Sequence, residues 1–73
     1  MNKTEPYMTE EDIRRFNKYM SEAGYNVEKL SQEIGMSKKT LGSRIRGDTS
    51  FKYTEMVVIA ETLKTPPGKI FFG

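Results

Sequence analysis

The feature that most constrains the fold is one helix-start pattern, which occurs three times before residue 42. In this pattern a polar capping residue follows an apolar residue, and a second apolar residue stands five positions after the first. The capping side chain accepts a hydrogen bond from a free backbone N–H group, and the two apolar side chains pack across the first helical turn. The three copies are Met8-Thr9 with Ile13, Tyr25-Asn26 with Leu30, and Met36-Ser37 with Leu41. Each copy therefore predicts the beginning of a helix.

A glycine follows each of the three segments that begin in this way, which is typical of helix ends. We expect helices over about residues 10–23, 27–34 and 38–46. Apolar side chains recur within them at helical spacing and define the inward faces. These side chains are Ile13, Phe16, Tyr19, Met20, Leu30, Ile34, Leu41 and Ile45.

A fourth helix of about ten residues is predicted after the loop that begins at Asp48. Its cap is Lys52 or Thr54, and the aromatic side chain that packs across its first turn is Phe51 or Tyr53. Its inward face consists of Met56, Ile59, Ala60 and Leu63. Pro66-Pro67 ends this helix, and a short turn over residues 68–72 returns Ile70 and Phe71 to the core. The pattern predicts an all-α fold of four to five helices.

Length and composition limit the chain to one small domain without a metal or thiol site. The 73 residues contain no cysteine and no histidine, so neither a disulfide framework nor a common zinc site can form. We expect residues 1–8 to be a flexible arm and residues 9–73 to form the domain. The longest apolar run, residues 56–60, is too short to cross a bilayer, and no signal-peptide pattern begins the chain. These features predict a cytoplasmic protein with no membrane contact and no cofactor.

Positive charge is concentrated in the middle of the chain. The net charge is +2 overall, but residues 25–53 hold six basic and three acidic side chains, a net of +3. Residues 1–24 carry a net of −1, and residues 54–73 are neutral. A local basic block of this kind is expected on a surface that faces phosphates. The sequence suggests no pair of close carboxylates and has no histidine or cysteine, so we expect no enzymatic activity.

The second and third predicted helices form a helix-turn-helix over about residues 26–47. Gly35 stands where the chain reverses, at a position that commonly needs a left-handed backbone. Ser31 is small where the third helix must cross the second closely, and Ser37 begins the third helix immediately after the turn. The third helix is thus expected to project as a ridge that fits a major groove.

These residues resemble the Cro and lambda-repressor type of helix-turn-helix DNA-binding family. The resemblance covers about residues 10–72, and residues 30–41, LSQEIGMSKKTL, carry it most clearly. The ending Ile70-Phe71-Phe72 resembles short regulators of phages and mobile elements. The resemblance implies a compact lambda-repressor-like domain that binds an operator in double-stranded DNA.

In this family, bases are read at the first, second and sixth positions after the turn serine. The corresponding residues here are Lys38, Lys39 and Ser43. Helical geometry independently places Lys39, Ser43 and Arg46 on the outer face when Leu41 and Ile45 point inward. We expect phosphate contacts from Asn26, Ser37, Thr40, Arg44, Arg46 and Lys52. Arg44 occupies a position that is often apolar in the family, so a phosphate or Asp48 is its expected partner.

The sequence favours a regulator, with repression as the expected activity and a homodimer as the DNA-bound form. Phe72 is the expected interface residue, because Ile70 and Phe71 suffice to close the core. An alternative stays open: a phage antirepressor or modulator that acts mainly by binding another repressor protein. Val27 and Gly42 favour this alternative, because the family usually has a glutamine at the first place and glycine weakens the reading helix at the second.

Overall fold

The computed structural model describes residues 7–72, and these residues form five α-helices and no strand. The helices are α1 (Glu10–Glu22), α2 (Val27–Ile34), α3 (Lys38–Arg46), α4 (Tyr53–Leu63) and α5 (Pro67–Phe71). The all-α prediction is confirmed, and α2 and α3 match the predicted ranges. Most of the predicted arm, residues 1–6, lies outside the described residues. Met8, at the end of that arm, is buried.

Side-chain caps begin the first three helices, as the repeated pattern predicts. Thr9 and Asp12 each accept a hydrogen bond from the backbone N–H of the other at the start of α1. Asn26 Oδ1 accepts from Lys29 N–H at 2.7 Å, and Ser37 Oγ accepts from Thr40 N–H at 3.0 Å. These bonds satisfy backbone donors that have no partner within their own helix.

The cap of α4 is Lys52, and Phe51 is the aromatic residue that packs beneath it. Phe51 is fully buried, whereas Tyr53 is 68% exposed. The side chain of Lys52 has no acceptor to offer the first turn of α4. The backbone N–H of Lys52 donates to the carboxylate of Glu55 at 2.8 Å. The choice left open by the sequence therefore depends on which aromatic side chain reaches the core.

Three phenylalanine rings form the centre of the core. The ring centroids of Phe16, Phe51 and Phe71 lie 5.2 to 5.8 Å apart, within the range that stabilises aromatic pairs. The apolar face of α4 is buried as predicted, and Leu30, Leu41 and Ile70 are fully buried. One core thus joins all five helices.

The C-terminal helix is fastened to α1 by Arg15. Its Nε donates to the carbonyl of Ile70 at 3.1 Å, and its guanidinium also pairs with Asp12. Burial alone would raise the pKa of the Asp12 carboxyl, but hydrogen bonds from Thr9 and Arg15 outweigh it and lower the pKa. Ile70 and Phe71 are buried as predicted.

None of the helices within residues 7–72 has the length and apolar character that a membrane span requires.

Gly47 ends α3 at a point where the backbone also meets the N-terminal segment. Its φ of +87° is in the left-handed region, which glycine adopts without steric strain. A Cβ atom at this position would lie 2.5 Å from the carbonyl oxygen of Met8. Glycine is therefore required here for its conformation and for the space that it leaves.

Candidate nucleic-acid interface

The turn between α2 and α3 has the geometry that the sequence predicts. Gly35 has a φ of +74°, and the N–H of Met36 donates to the carbonyl of Ser31 at 3.0 Å. Ser31 is 4% exposed, and its hydroxyl donates to the carbonyl of Glu28 at 2.7 Å. A small residue that satisfies its own hydroxyl allows the two helices to approach closely, which fixes the direction in which α3 projects.

Only two side chains anchor α3 in the core. Leu41 is fully buried and Ile45 is 6% exposed, whereas the other positions of the helix are exposed or half-buried. Lys38, Lys39 and Arg46 are exposed. Most of the surface of α3 is therefore accessible to a ligand.

The three residues expected to read bases have different surroundings. Lys38 Nζ lies 3.9 Å from Glu28 Oε1, and both side chains are 66% exposed. Lys39 makes no side-chain hydrogen bond or ion pair with any residue from 7 to 72. Ser43 is half-buried, and its Oγ lies 3.2 Å from Thr49 Oγ1. Lys39 is thus the more available of the two lysines.

The first turn of α3 holds two lysines and no acidic residue. The N-terminal end of a helix carries partial positive charge, so cations there destabilise the helix. By contrast, the first turns of α1, α2 and α4 all contain acidic residues. Lys38 and Lys39 leave the N-terminal end of α3 suited to an anionic ligand.

Three of the expected phosphate ligands are hydrogen-bonded within helix starts. Asn26 caps α2 through its side-chain oxygen. Ser37 caps α3, and its hydroxyl donates to Thr40 Oγ1 at 2.8 Å. The polar atoms of Ser37 and Thr40 lie at the exposed N-terminal end of α3, beside the two lysines.

Arg44 has a different partner from the two that were predicted. Its Nε lies 2.8 Å from Glu55 Oε1, and the two side chains are only 16% and 18% exposed. The contact is an ion pair by its distance, but its geometry is not that of a hydrogen bond from Nε. Arg44 Nη1 donates to Thr49 Oγ1 at 2.9 Å. Glu55 reaches Arg44 because it folds back to cap α4, and this places its carboxylate beside the C-terminal half of α3.

The contact expected between Arg44 and Asp48 is made by Arg46 instead. Arg46 Nε lies 3.2 Å from Asp48 Oδ2, and both side chains are more than 60% exposed. A pair as exposed as this contributes little to stability and can be exchanged for a phosphate. Lys52 is exposed at the start of α4. Arg46 and Lys52 thus remain accessible on either side of the loop after α3.

Two residues of this region were missed by the sequence analysis, Thr49 and Glu55. Glu55 stands three positions after Lys52, which is the place where an acidic side chain completes a helix start. With Lys52 taken as the cap, the sequence therefore predicts the role of Glu55 at the start of α4. Thr49 gave no signal, because its contacts depend on the path of the loop.

A family model described as helix-turn-helix matches residues 14–70. The match begins within α1, includes α2, α3 and α4, and ends within α5. No curated protein and no solved structure matches the chain significantly.

Proposed function

The chain belongs to the helix-turn-helix family of DNA-binding transcription regulators, and we propose that it is a sequence-specific repressor that reads duplex DNA with α3. The observation that carries this proposal is the pair of lysines at the N-terminal end of α3. Both are exposed at a helix end where a cation destabilises the free protein. A phosphate or an acceptor edge of guanine would compensate for that unfavourable charge.

The proposed contacts divide into reading and positioning residues. Lys38, Lys39 and Ser43 face the bases, and Arg46 and Lys52 contact the backbone on either side. Asn26, Ser37 and Thr40 add contacts from the starts of α2 and α3. Arg44 has no place among the phosphate ligands, because Glu55 already neutralises it away from solvent.

Salt dependence of DNA binding tests this proposal. Arg46 and Lys52, the two cations assigned to phosphates, should give a slope of about −2 for the logarithm of affinity against the logarithm of salt concentration, per protomer. The measurement is electrophoretic mobility shift with the DNA upstream of the protein's own gene, beside random duplex of equal length. Preference for the upstream DNA is expected. A flat salt response with no preference would contradict the proposal.

A homodimer on DNA is part of the proposal, because one helix of this size contacts too few base pairs to select a site. Two copies related by a two-fold axis would read half-sites about 34 Å apart. Phe72 supports an interface at the C-terminal end, since its side chain is 62% exposed directly after the buried Ile70 and Phe71. Such an interface would leave α3 accessible.

The variant Phe72→Ser should weaken self-association and operator binding together while the helical content stays unchanged. Tyr53→Ser is the matched control, because Tyr53 is a similarly exposed aromatic side chain on α4. Sedimentation gives the association state, and circular dichroism gives the helical content. Loss of helix in Phe72→Ser would make Phe72 a core residue, and dissociation by Tyr53→Ser alone would move the interface to α4.

One observation favours the second candidate function, an antirepressor or modulator that binds another repressor protein. Tyr53 and Val58 expose apolar surface on α4, where 68% and 42% of their areas are accessible. Two results together would support this candidate: binding to a repressor protein, and DNA binding that shows neither sequence preference nor salt dependence. Retained complex formation with the repressor after Lys39→Ala would support it further, because Lys39 would then have no role in that complex.

A further inference from the structure

Three side chains connect the outer face of α3 to its internal ion pair. Arg44 Nη1 donates to Thr49 Oγ1 at 2.9 Å, and Thr49 Oγ1 lies 3.2 Å from Ser43 Oγ. Arg44 is held in turn by Glu55. Ser43 therefore stands at the end of a continuous polar chain that begins at a fixed guanidinium.

The chemistry of the guanidinium fixes the direction of the first hydrogen bond in this chain. A guanidinium has donors only, so Thr49 Oγ1 accepts from Arg44. A hydroxyl that accepts a hydrogen bond from a cation becomes a stronger donor, because the bonds polarise one another. The side-chain oxygen nearest to receive the Thr49 proton is Ser43 Oγ. The favoured arrangement has Thr49 donating to Ser43.

Ser43 is left with its own proton when its oxygen accepts from Thr49. Within residues 7–72, Ser43 Oγ makes no other hydrogen bond, so the proton can point away from the protein. We propose that Thr49 is a specificity-determining positioning residue, which fixes the hydroxyl of Ser43 as a hydrogen-bond donor toward the DNA base. This inference rests on the proposed function and adds a selection rule to it.

The rule follows from the groups that the bases present in the major groove. Guanine presents N7 and O6 as acceptors, adenine presents N7 and thymine presents O4, whereas cytosine presents only its N4 amino donor. A serine whose hydroxyl could rotate freely would tolerate either kind of edge. A serine whose oxygen already accepts from Thr49 has one proton and one lone pair left, and turning that lone pair toward the cytosine amino group would leave the serine proton without an acceptor. At the base that Ser43 contacts, cytosine should therefore be disfavoured relative to guanine, adenine and thymine.

Backbone hydrogen bonds hold Thr49 in place independently of its hydroxyl. The N–H groups of Asp48 and Thr49 donate to the carbonyl of Ser43 at 3.0 and 3.4 Å. Thr49→Val keeps the branched shape and these backbone bonds, and it removes only the hydroxyl. Thr49→Ser keeps the hydroxyl. The two variants together separate the hydrogen-bond chain from the shape of the loop.

The experiment is selection of binding sites from a random duplex pool with the wild-type protein and four variants. The variants are Ser43→Ala, Thr49→Val, Thr49→Ser and the matched control Thr62→Val, whose hydroxyl donates within α4 to the carbonyl of Val58. The wild type should disfavour cytosine by roughly three- to tenfold at one position of each half-site, the range expected for one hydrogen bond. Ser43→Ala and Thr49→Val should both lose this preference at that position, whereas Thr49→Ser and Thr62→Val should keep it. Circular dichroism checks that every variant is folded.

Several results would overturn the inference, and they differ from failure of the proposed function. Full retention of the cytosine discrimination in Thr49→Val would remove Thr49 from base selection while DNA reading stands. An unchanged preference in Ser43→Ala would remove Ser43 as a reader. Equal weakening of all sequences by Thr49→Val, with the base preference intact, would make Thr49 a loop-stabilising residue only. If the wild type enriched no sequence, the proposed function and the inference would both fall.

Discussion

The charge at the second position of α3 should oppose stability and support DNA binding, and Lys39→Glu tests both effects in one variant. A single charge in the first turn contributes about 0.3–1 kcal/mol through the helix dipole, and the substitution changes the charge by two units. Lys39 is exposed and has no ion-pair partner among the described residues, so nothing else is lost. The free energy of unfolding of the free protein should therefore rise by about 0.5–1.5 kcal/mol, because solvent screening keeps the effect of the two charge units below its full value.

DNA binding should respond in the opposite direction. Loss of a base contact removes about 1–3 kcal/mol, and the new carboxylate adds repulsion from the phosphates. The operator affinity of Lys39→Glu should thus fall by at least about tenfold.

Thermal unfolding at low salt and mobility shift at one fixed salt concentration measure the two effects. A gain of about 1 kcal/mol corresponds to a rise of about 4–8 °C in Tm for a domain of this size. Lys18→Glu is the control, because it makes the same change of charge in the middle of α1, where the dipole has little effect. A lower Tm for Lys39→Glu, or unchanged affinity for DNA, would refute the argument from the helix end.

Two further predictions concern the supports of α3. Glu55→Ala should destabilise the protein by about 2–4 kcal/mol in urea unfolding, because it leaves Arg44 without its ion-pair partner and removes a cap. Adding Arg44→Met should recover most of the loss, and a cost of Glu55→Ala below about 1 kcal/mol would contradict the role of the pair. Gly47→Ala should lower the free energy of unfolding by more than about 2 kcal/mol, since its Cβ collides with the Met8 carbonyl. Gly24→Ala has a similar φ of +82° and open space around its Cβ, so it should lose only about 1 kcal/mol; equal losses at the two glycines would refute the collision.

The helix starts could be predicted because their causes lie within a few residues of one another. The side chain of Asn26 accepts from the backbone N–H of Lys29 three positions later, so the pattern in the sequence already contains the interaction. The start of α4 was ambiguous for the opposite reason. Phe51 and Tyr53 are both aromatic, and only contact with the distant ring of Phe16 decides which one is buried.

The partners of the arginines near the end of α3 could not be predicted in the same way. Arg44 and Arg46 both lie close to Asp48 in sequence, and local geometry alone does not decide which one reaches it. The decision depends on Glu55, which is eleven positions beyond Arg44 and approaches it only when α4 packs against the rest of the domain. The sequence therefore predicted that Arg44 is available at the surface, whereas the fold pairs it with Glu55 at low exposure.

This internal pairing changes the expected strength of DNA binding. Glu55 lies outside the basic block of residues 25–53, yet it neutralises one of the six basic side chains within that block. The accessible cations around α3 are Lys38, Lys39, Arg46 and Lys52, and two of these already have an exposed carboxylate nearby. Because non-specific affinity depends on the number of phosphates that a protein neutralises, a single copy with this surface should bind DNA weakly. Selection of a site must then come from base contacts that are repeated by a second copy, which favours the two-fold arrangement and makes the reading of each base by α3 more important than its charge.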